Sequence, residues 1–223
     1  ELQHIIHTVT SEQKQRIAIF YQHDGYGMSG VESIHELLSE YNTAPIIAVN
    51  YKRGKRFSAS FENEAKLLIE KKPSLIICIA AYEAAAGLIR DIRKKNKNIP
   101  IANISFADKQ SIYELLTTTE PDAFHNLIHT QVLAEHKGLA ARKRFNKNQD
   151  RVNSIQYEGY LNTVYLLQIL TQSPSLAYPN IKHSYLKTTA QDIGLTREKF
   201  RNNNPRLATV YVLKSTKSGW KRY

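Results

Sequence analysis

Short apolar runs that alternate with helical stripes between residues 14 and 130 constrain the fold more than any other feature of this sequence. The apolar runs are residues 16–21, 45–51, 75–80, 99–104 and 124–132. Between them, apolar residues recur at helical spacing, as in the set Ala85, Leu88, Ile89 and Ile92. Strands this apolar are typical of a parallel sheet whose two faces are both covered by helices. The pattern predicts an α/β fold with a doubly wound parallel sheet and flanking helices.

The sequence changes character after residue 133. Residues 137–150 are basic and carry little strand signal. The spacing of Tyr157, Tyr160, Val164 and Leu167 predicts a helix, and residues 173–180, with two prolines, predict a loop. The run 209–213, a turn at 215–219 and Trp220 predict a closing hairpin. We therefore divide the chain into an α/β lobe, residues 1–133, and a basic helical crossover segment with a C-terminal hairpin, residues 134–223.

The net charge of +11, from 31 basic and 20 acidic side chains, is unevenly distributed. Residues 1–130 carry 15 of each sign, so the whole excess follows Thr130. A basic excess suits a polyanionic partner, but no aromatic residues are interleaved with the cluster Arg142, Lys143 and Arg144 to stack on bases. We expect no nucleic-acid partner. No apolar run approaches the ~20 residues of a spanning helix, so we also expect no membrane insertion by this segment.

Three glycines after the first predicted strand fit the spacing G-x-G-x-x-G: Gly25, Gly27 and Gly30. Such a turn between a strand and a helix is typical of dinucleotide sites. However, three residues separate the strand from Gly25, and no acidic residue ends the second strand to hold a ribose. Lys52 and Arg53 could receive a 2′-phosphate, so an NADP-dependent reductase stays as an alternative. The simpler interpretation is that the glycines let the chain turn and start a helix, and we expect no cofactor.

Four blocks resemble the branched-chain amino acid receptor group of the type 1 periplasmic solute-binding proteins. The first is Arg16–Gly30, an apolar strand followed by a tyrosine- and glycine-containing loop and a helix. The others are Lys72–Ala86, Pro100–Phe106 and Tyr157–Tyr160. They occur in the family's order and spacing over most of residues 14–170, and residues 209–223 also resemble the family's closing hairpin.

This resemblance implies a two-lobed clamp that binds a small polar solute, amino-acid-like, between its lobes and delivers it to the permease of an ABC transporter. Such a protein is non-catalytic and acts in the periplasm or another extracytoplasmic space. The resemblance also implies a first lobe and a signal peptide upstream of Glu1. The alternative within the same family is the ligand-sensing domain of a membrane receptor.

The resemblance also implies where the ligand is held, at the carboxyl ends of the strands. Tyr26, Tyr82 and Tyr160 match ligand-facing aromatic residues of the family. Ser105 and Phe106 end the fourth strand, where amino-acid binders carry a glutamate for the ligand ammonium. Since an unpaired buried ammonium is costly, an amino-acid ligand requires Asp108 or Glu83 as a substitute. The predicted ligand residues are Tyr26, Tyr82, Ser105, Phe106, Asp108 and Tyr160.

Other residue patterns indicate ordinary structural roles. Two histidine pairs have spacings that could chelate a metal ion, His4 with His7 and His125 with His129, but neither belongs to a recognisable metal-binding set with cysteine or carboxylate. Cys78 lies in a predicted buried strand, where cysteine is usually a small hydrophobe. We therefore expect no metal site and no catalytic residue.

Overall fold

The computed structural model describes residues 1–10, 16–119, 121–132, 145, 154–188, 211–216 and 219–222. The chain forms two compact units. The first comprises Glu1–Gln131 with Val210–Tyr223, and the second comprises Val132–Thr209. The predicted division at residue 133 stays a prediction, and in the structure the closing hairpin lies in the first unit.

The first unit is built on a seven-stranded sheet of order β2-β1-β3-β4-β5-β6-β7. Its strands are β1 (Ile17–Gln22), β2 (Ile47–Tyr51), β3 (Leu75–Ile79), β4 (Ile101–Asn103), β5 (Leu127–Gln131), β6 (Tyr211–Thr216) and β7 (Gly219–Arg222). Strands β1 to β5 pair in parallel. The hairpin of β6 and β7 adds to β5 in the antiparallel direction. The predicted hairpin is confirmed at the far edge of the sheet.

Helices cover both faces of the sheet, as the apolar strands predict. They are α1 (Leu2–Thr10), α2 (Gly25–Ser39), α3 (Glu62–Glu70), α4 (Tyr82–Arg93) and α5 (Lys109–Thr119), and Pro121–Phe124 form a 3₁₀ turn. One buried cluster joins α1 and α2 to the sheet, and the other joins α3, α4 and α5 to its opposite face. The doubly wound parallel sheet is confirmed.

The start of α2 differs from the sequence interpretation, in which Gly25, Gly27 and Gly30 let the chain turn before the helix. The helix already begins at Gly25, because the Asp24 side chain caps it by accepting a hydrogen bond from the Gly27 N–H at 3.1 Å. A Cβ atom on Gly27 would lie 1.8 Å from the Gln22 carbonyl oxygen, and one on Gly30 would lie 2.5 Å from Ile79 Cδ1. These glycines allow α2 to approach the ends of β1 and β3 closely.

The loop between β2 and α3 is held against α4 by buried polar contacts. The Arg90 guanidinium donates to the Phe57 carbonyl at 2.6 Å and to the Ala59 carbonyl at 2.8 Å. Asp91 is 1% exposed and accepts a hydrogen bond from the Phe61 N–H at 2.7 Å. These bonds fix the course of a loop that runs from the carboxyl end of β2.

The second unit contains two described helices, α6 (Ser154–Gln172) and α7 (Tyr178–Lys187). The Tyr165 ring packs edge-on against Tyr185 with ring centres 6.0 Å apart. Helix α6 was predicted, although Leu167, which served to mark it, is exposed. Helix α7 was not predicted, because Pro179 was taken as a loop signal and instead lies in the first helical turn, where its missing N–H costs nothing. The predicted basic cluster Arg142–Arg144 lies outside the described residues.

The close approach at Gly27 predicts a large stability difference between two glycine variants of the same turn. We expect Gly27→Ala to lower the free energy of unfolding by about 2 kcal/mol or more, because its methyl group would overlap backbone atoms of Gln22. Gly25→Ala meets no atom within 4 Å and is expected to change stability by less than about 1 kcal/mol. Urea unfolding followed by circular dichroism measures both, and equal stability of the two variants would contradict the close approach.

Candidate ligand-binding site

The carboxyl ends of β1 to β5 lie at one edge of the sheet, which we call the carboxyl edge. Strand order reverses direction at β1, since the chain goes from β1 to β2 on one side and then to β3 on the other. Helix α2 after β1 and helix α4 after β3 therefore cover opposite faces. Open α/β sheets bind ligands in the crevice at such a topological switch point. The loops that follow β1 and β3 flank this crevice, independently of any family resemblance.

Two of the predicted ligand residues meet at the carboxyl edge. Tyr26 in the first turn of α2 and Phe106 after β4 have ring centres 4.8 Å apart with planes inclined by 50°. Tyr26 is half-buried, whereas 48% of Phe106 is exposed. Aromatic side chains carry large contact areas, and exposed ones are costly to leave in water. The pair, here called the aromatic pair, offers an apolar surface beside the switch point.

Tyr82 opens α4 directly after β3 and is 37% exposed. The next residue, Glu83, accepts a hydrogen bond from Arg56 Nη1 at 2.7 Å. The hydrogen bond to Glu83, followed by the charge of Glu83, raises the pKa of Arg56. Tyr82, Glu83 and Arg56 therefore lie together, and the candidate acid Glu83 already has a cationic partner.

A hydrogen-bonded chain that the sequence did not reveal ties three strand ends together. The Tyr51 hydroxyl at the end of β2 donates to Gln22 Oε1 of β1 at 3.0 Å. The same hydroxyl accepts from the Ala81 N–H, just before α4, at 3.1 Å. Tyr51 is 2% exposed, and burial raises its pKa to about 12. A tyrosine closing an apolar strand carries no signal of this role, because its partners lie 29 and 30 residues away.

Asp24 completes this chain and occupies the N-terminus of α2. Its carboxylate accepts from Gln22 Nε2 and from the Gly27 N–H. The Gly27 N–H, then the Gln22 amide, lower the pKa of Asp24, so it is ionised at neutral pH. A dinucleotide phosphate would have to occupy this same helix N-terminus. A carboxylate already bound there would repel it, which argues against the reductase alternative.

The remaining predicted residues near β4, Ser105 and Asp108, make hydrogen bonds within the protein. The Ser105 N–H donates to Glu1 Oε1 at 2.8 Å, and that oxygen also accepts from Thr130 Oγ1 at 2.8 Å. Asp108 is 1% exposed and accepts from both the N–H and the hydroxyl of Ser111 in α5, at 2.9 and 2.7 Å. Asp108 therefore stabilises the start of a helix and is not presented to solvent.

Tyr160 belongs to the second unit. It stacks on Phe145, with ring centres 4.8 Å apart, and Tyr157 lies within 6.4 Å of it. Tyr157 is buried and Tyr160 is half-buried. The three rings form an aromatic cluster, so Tyr160 has a packing role in its own unit, and its predicted contact with a ligand stays a prediction.

Two buried polar groups near the carboxyl edge have no hydrogen-bond partner in the described part of the chain. They are the Tyr26 hydroxyl and the side-chain amide of Asn103, which is fully buried at the end of β4. Burial, followed by the Glu1 charge, raises the pKa of Tyr26, so its hydroxyl stays protonated. Unpaired buried polar groups cost about 1–3 kcal/mol each. The carboxyl edge of the sheet therefore contains buried polar groups whose hydrogen-bonding capacity is not used by the described residues.

In the described part of the chain, the histidine and cysteine side chains outside this edge form no site. Among the described residues, no three histidine, cysteine or acidic side chains lie together as metal ligands would. Cys78 is fully buried, and burial raises its pKa, which makes it unreactive. His129 is buried in β5, and burial lowers its pKa to about 3, so it is neutral.

A groove of about 490 Å³ lies between α1, α2 and the end of β4. Its lining residues are Glu1, Leu2, Gln3, Ser33, Glu36, Leu37, Glu40 and Ile104. None of the six predicted ligand residues lines it. The groove and the aromatic pair are therefore distinct surfaces.

The fold of this chain is similar to that of solved periplasmic substrate-binding proteins. A substrate-binding periplasmic protein from Ralstonia solanacearum matches with a TM-score of 0.81 and 16% identity, over 100% of this chain and 65% of that one. A leucine-binding protein from Thermotoga maritima matches with a TM-score of 0.75 and 15% identity, over 100% and 63%. A fatty acid ABC transporter substrate-binding protein from Thermomonospora curvata matches with a TM-score of 0.75 and 17% identity, over 99% and 59%.

This chain has the fold of the type 1 periplasmic binding proteins. The resemblance drawn from the four sequence blocks is confirmed at the level of fold. The chain spans less than two thirds of the length of these solved structures. No protein-family model and no curated protein matches the sequence. Of the helices described, none is both long and apolar enough to cross a membrane.

The solved type 1 periplasmic binding proteins that share this fold are described as binding or transporting different ligands. One structure is described as leucine-binding and another as a fatty acid transporter component. The shared fold therefore leaves the ligand open, and the side chains at the carboxyl edge must provide the evidence for it.

The Tyr51 hydroxyl predicts a specific loss of stability in a phenylalanine variant. We expect Tyr51→Phe to lower the free energy of unfolding by about 1–3 kcal/mol, because it leaves the Ala81 N–H and the Gln22 side chain without this partner. The ring would keep its stacking on Phe20, 4.8 Å away.

Tyr113→Phe is the matched control, since the Tyr113 side chain is 38% exposed and its ring packs edge-on against Phe124. We expect it to change stability by less than about 0.5 kcal/mol. Thermal and urea unfolding of both variants measure the difference. If Tyr51→Phe were as stable as the control, the hydrogen-bonded chain would not contribute as described.

Proposed function

We propose that this chain is the ligand-closing part of a two-lobed solute-binding protein that captures a small molecule and delivers it to an ABC transporter. The aromatic pair of Tyr26 and Phe106 beside the topological switch point carries this proposal. The proposed protein is non-catalytic and works outside the cytoplasm. The fold shared with periplasmic substrate-binding proteins supports the same role.

Hinge closure is the proposed mechanism. In this structure, Phe106 and Tyr82 are 48% and 37% exposed. A ligand that contacts these rings and a second lobe would favour the closed state by the difference in its affinity for the two states. Burial of the rings adds roughly 25 cal/mol for each Å² of apolar surface removed from water. The transporter would then recognise the closed form.

A sensor role is the second candidate on the same fold. The ligand-binding domain of a membrane receptor would use the same edge and the same closure, and it would differ only in the segments joined to it in the complete protein. A transmembrane helix and a signalling module in the complete protein would favour the receptor. Their absence there, together with a transporter permease that binds the closed form, would favour delivery.

A thermal-shift screen of the complete protein tests the proposed function. The library contains amino acids, amides, small carboxylates, sugars and amines. We expect one of these solutes to raise the midpoint of unfolding by several degrees, because a ligand that binds only the folded state stabilises it in proportion to the logarithm of its concentration over Kd. Saturable binding with no chemical change in the solute supports a binding protein.

Single alanine variants then locate the binding site. We expect Tyr26→Ala, Tyr82→Ala and Phe106→Ala each to abolish most of the shift. Tyr41→Ala is the matched control, since Tyr41 is 47% exposed and lies just beyond the other end of α2. It should keep the full shift. Retention of the full shift in all three site variants would contradict the site, and no shift with any solute class would contradict the function.

A further inference from the structure

The acidic side chains at the carboxyl edge are already engaged by the protein. Asp24 caps α2, Asp108 binds the first turn of α5, and Glu83 pairs with Arg56. Glu1, whose carboxylate reaches the end of β4, accepts hydrogen bonds from a backbone N–H and a threonine hydroxyl. In the described first unit, a ligand ammonium at this edge would therefore have to displace an existing partner.

Displacing these partners is unfavourable for the two capping residues. Removing the Asp24 or Asp108 carboxylate from its helix would leave N–H groups of the first turn unsatisfied. A buried ammonium without a carboxylate is itself costly. The ammonium group of an amino-acid ligand, which the sequence led us to expect, would thus find no available acidic partner on this lobe.

Basic groups are abundant beside the same edge. The loop that follows β2 carries Lys52, Arg53, Lys55 and Arg56. Lys55 pairs with Glu64, and Arg53 lies 3.9 Å from Asp24 with 78% of its side chain exposed. This loop is fixed to α4 by the Arg90 and Asp91 contacts described above. It places cationic groups in a defined position next to the switch point.

Arg56 is the best placed of these cations. Its side chain is 72% exposed, and a single nitrogen, Nη1, donates to Glu83. A guanidinium has five N–H donors in a planar fork that matches a carboxylate. The other nitrogens of Arg56 can therefore receive a second carboxylate, and its partner Glu83 follows Tyr82 in the first turn of α4.

The aromatic pair and Tyr82 supply the apolar part of the same surface. Tyr82 in the first turn of α4 and Phe106 after β4 are exposed rings, and Phe106 contacts Tyr26 in the first turn of α2. Exposed ring faces accept a planar or aliphatic body by stacking and edge contacts. The surface thus combines a cationic fork with exposed aromatic faces and has no unengaged acid in its described part.

We infer that this lobe selects an organic acid with an aromatic or aliphatic body, whose carboxylate binds Arg56 and which needs no ammonium group. The inference rests on the proposed function, since it names the ligand class of the same site. An α-amino group adds a charge that this edge does not pair, so it should weaken binding. An organic acid and the amino acid with the same carbon skeleton differ only in that group, so comparing their affinities isolates its effect.

Calorimetric titration of the complete protein with matched pairs tests the inference. The pairs are 3-phenylpropanoate with phenylalanine and 4-methylpentanoate with leucine. We expect at least one acid to bind about tenfold more tightly than its amino-acid partner, a difference that corresponds to about 1.4 kcal/mol. The neutral amide of that acid should also bind about tenfold more weakly, because it loses the charge-assisted bond.

Three charge variants separate the contact with Arg56 from general electrostatics. Arg56→Gln should weaken acid binding about tenfold. Lys66→Gln is the matched control, because the Lys66 side chain is similarly exposed and its partner Glu70 is 3.8 Å away. It should leave Kd unchanged within about twofold. Glu83→Gln should strengthen acid binding about threefold, because it releases Arg56 from its competing carboxylate.

The outcomes distinguish this inference from the proposed function. Tighter binding of the amino acid, or loss of binding in Glu83→Gln, would overturn the inference and leave a solute-binding function intact. Equal Kd values for Arg56→Gln and Lys66→Gln would also overturn it. A sugar or amine that binds while every acid fails would overturn the inference alone. Failure of every solute class would overturn both.

Discussion

Parallel pairing of β1 to β5 is the constraint on which the rest of this structure depends. Because parallel strands end at the same edge, the loops after β1, β3 and β4 are brought together although they are separated by many residues of chain. The reversal of strand order at β1 then places α2 and α4 on opposite faces and leaves a crevice between their first turns. The contact between Tyr26 and Phe106, 80 positions apart, is a direct product of this pairing.

Close contacts at the edge convert this topology into defined side-chain positions. The absence of a side chain at Gly27 lets α2 approach the end of β1, so that Asp24 can cap the helix and hold Tyr26 in its first turn. The Tyr51 hydroxyl joins the end of β1 to the start of α4, which carries Tyr82. Asp24 caps this helix, and its carboxylate repels a phosphate from the helix N-terminus. The hydrogen-bonded chain therefore fixes the side chains at the edge and also limits which ligands can bind there.

The sheet was predictable from sequence because apolar runs and helical stripes are local signals. The five parallel strands, the helices that follow them and the closing hairpin were all expected within a few residues. The beginning of α2 was not, because a glycine-rich segment reads as a turn unless the cap by Asp24 and the packing on Ile79 are known. Helix α7 was missed because proline is common both in loops and in the first turn of a helix, so Pro179 alone does not distinguish the two. The positions of Tyr26, Tyr82 and Phe106 at the edge followed from strand ends, whereas the Tyr51 network and the engagement of Asp108 by Ser111 depend on tertiary contacts that leave no pattern in the sequence.

We propose that the ligand binds where the loops after β1, β3 and β4 meet. Hydrogen-exchange mass spectrometry of the complete protein, with and without a saturating solute, tests this location directly. We expect slower exchange in the peptides that cover residues 23–28, 80–85 and 104–109, since ligand binding and closure suppress local opening there. Unchanged exchange in the first two of these peptides, with protection at residues 1–3 and 33–40 that line the groove between α1 and α2, would contradict it.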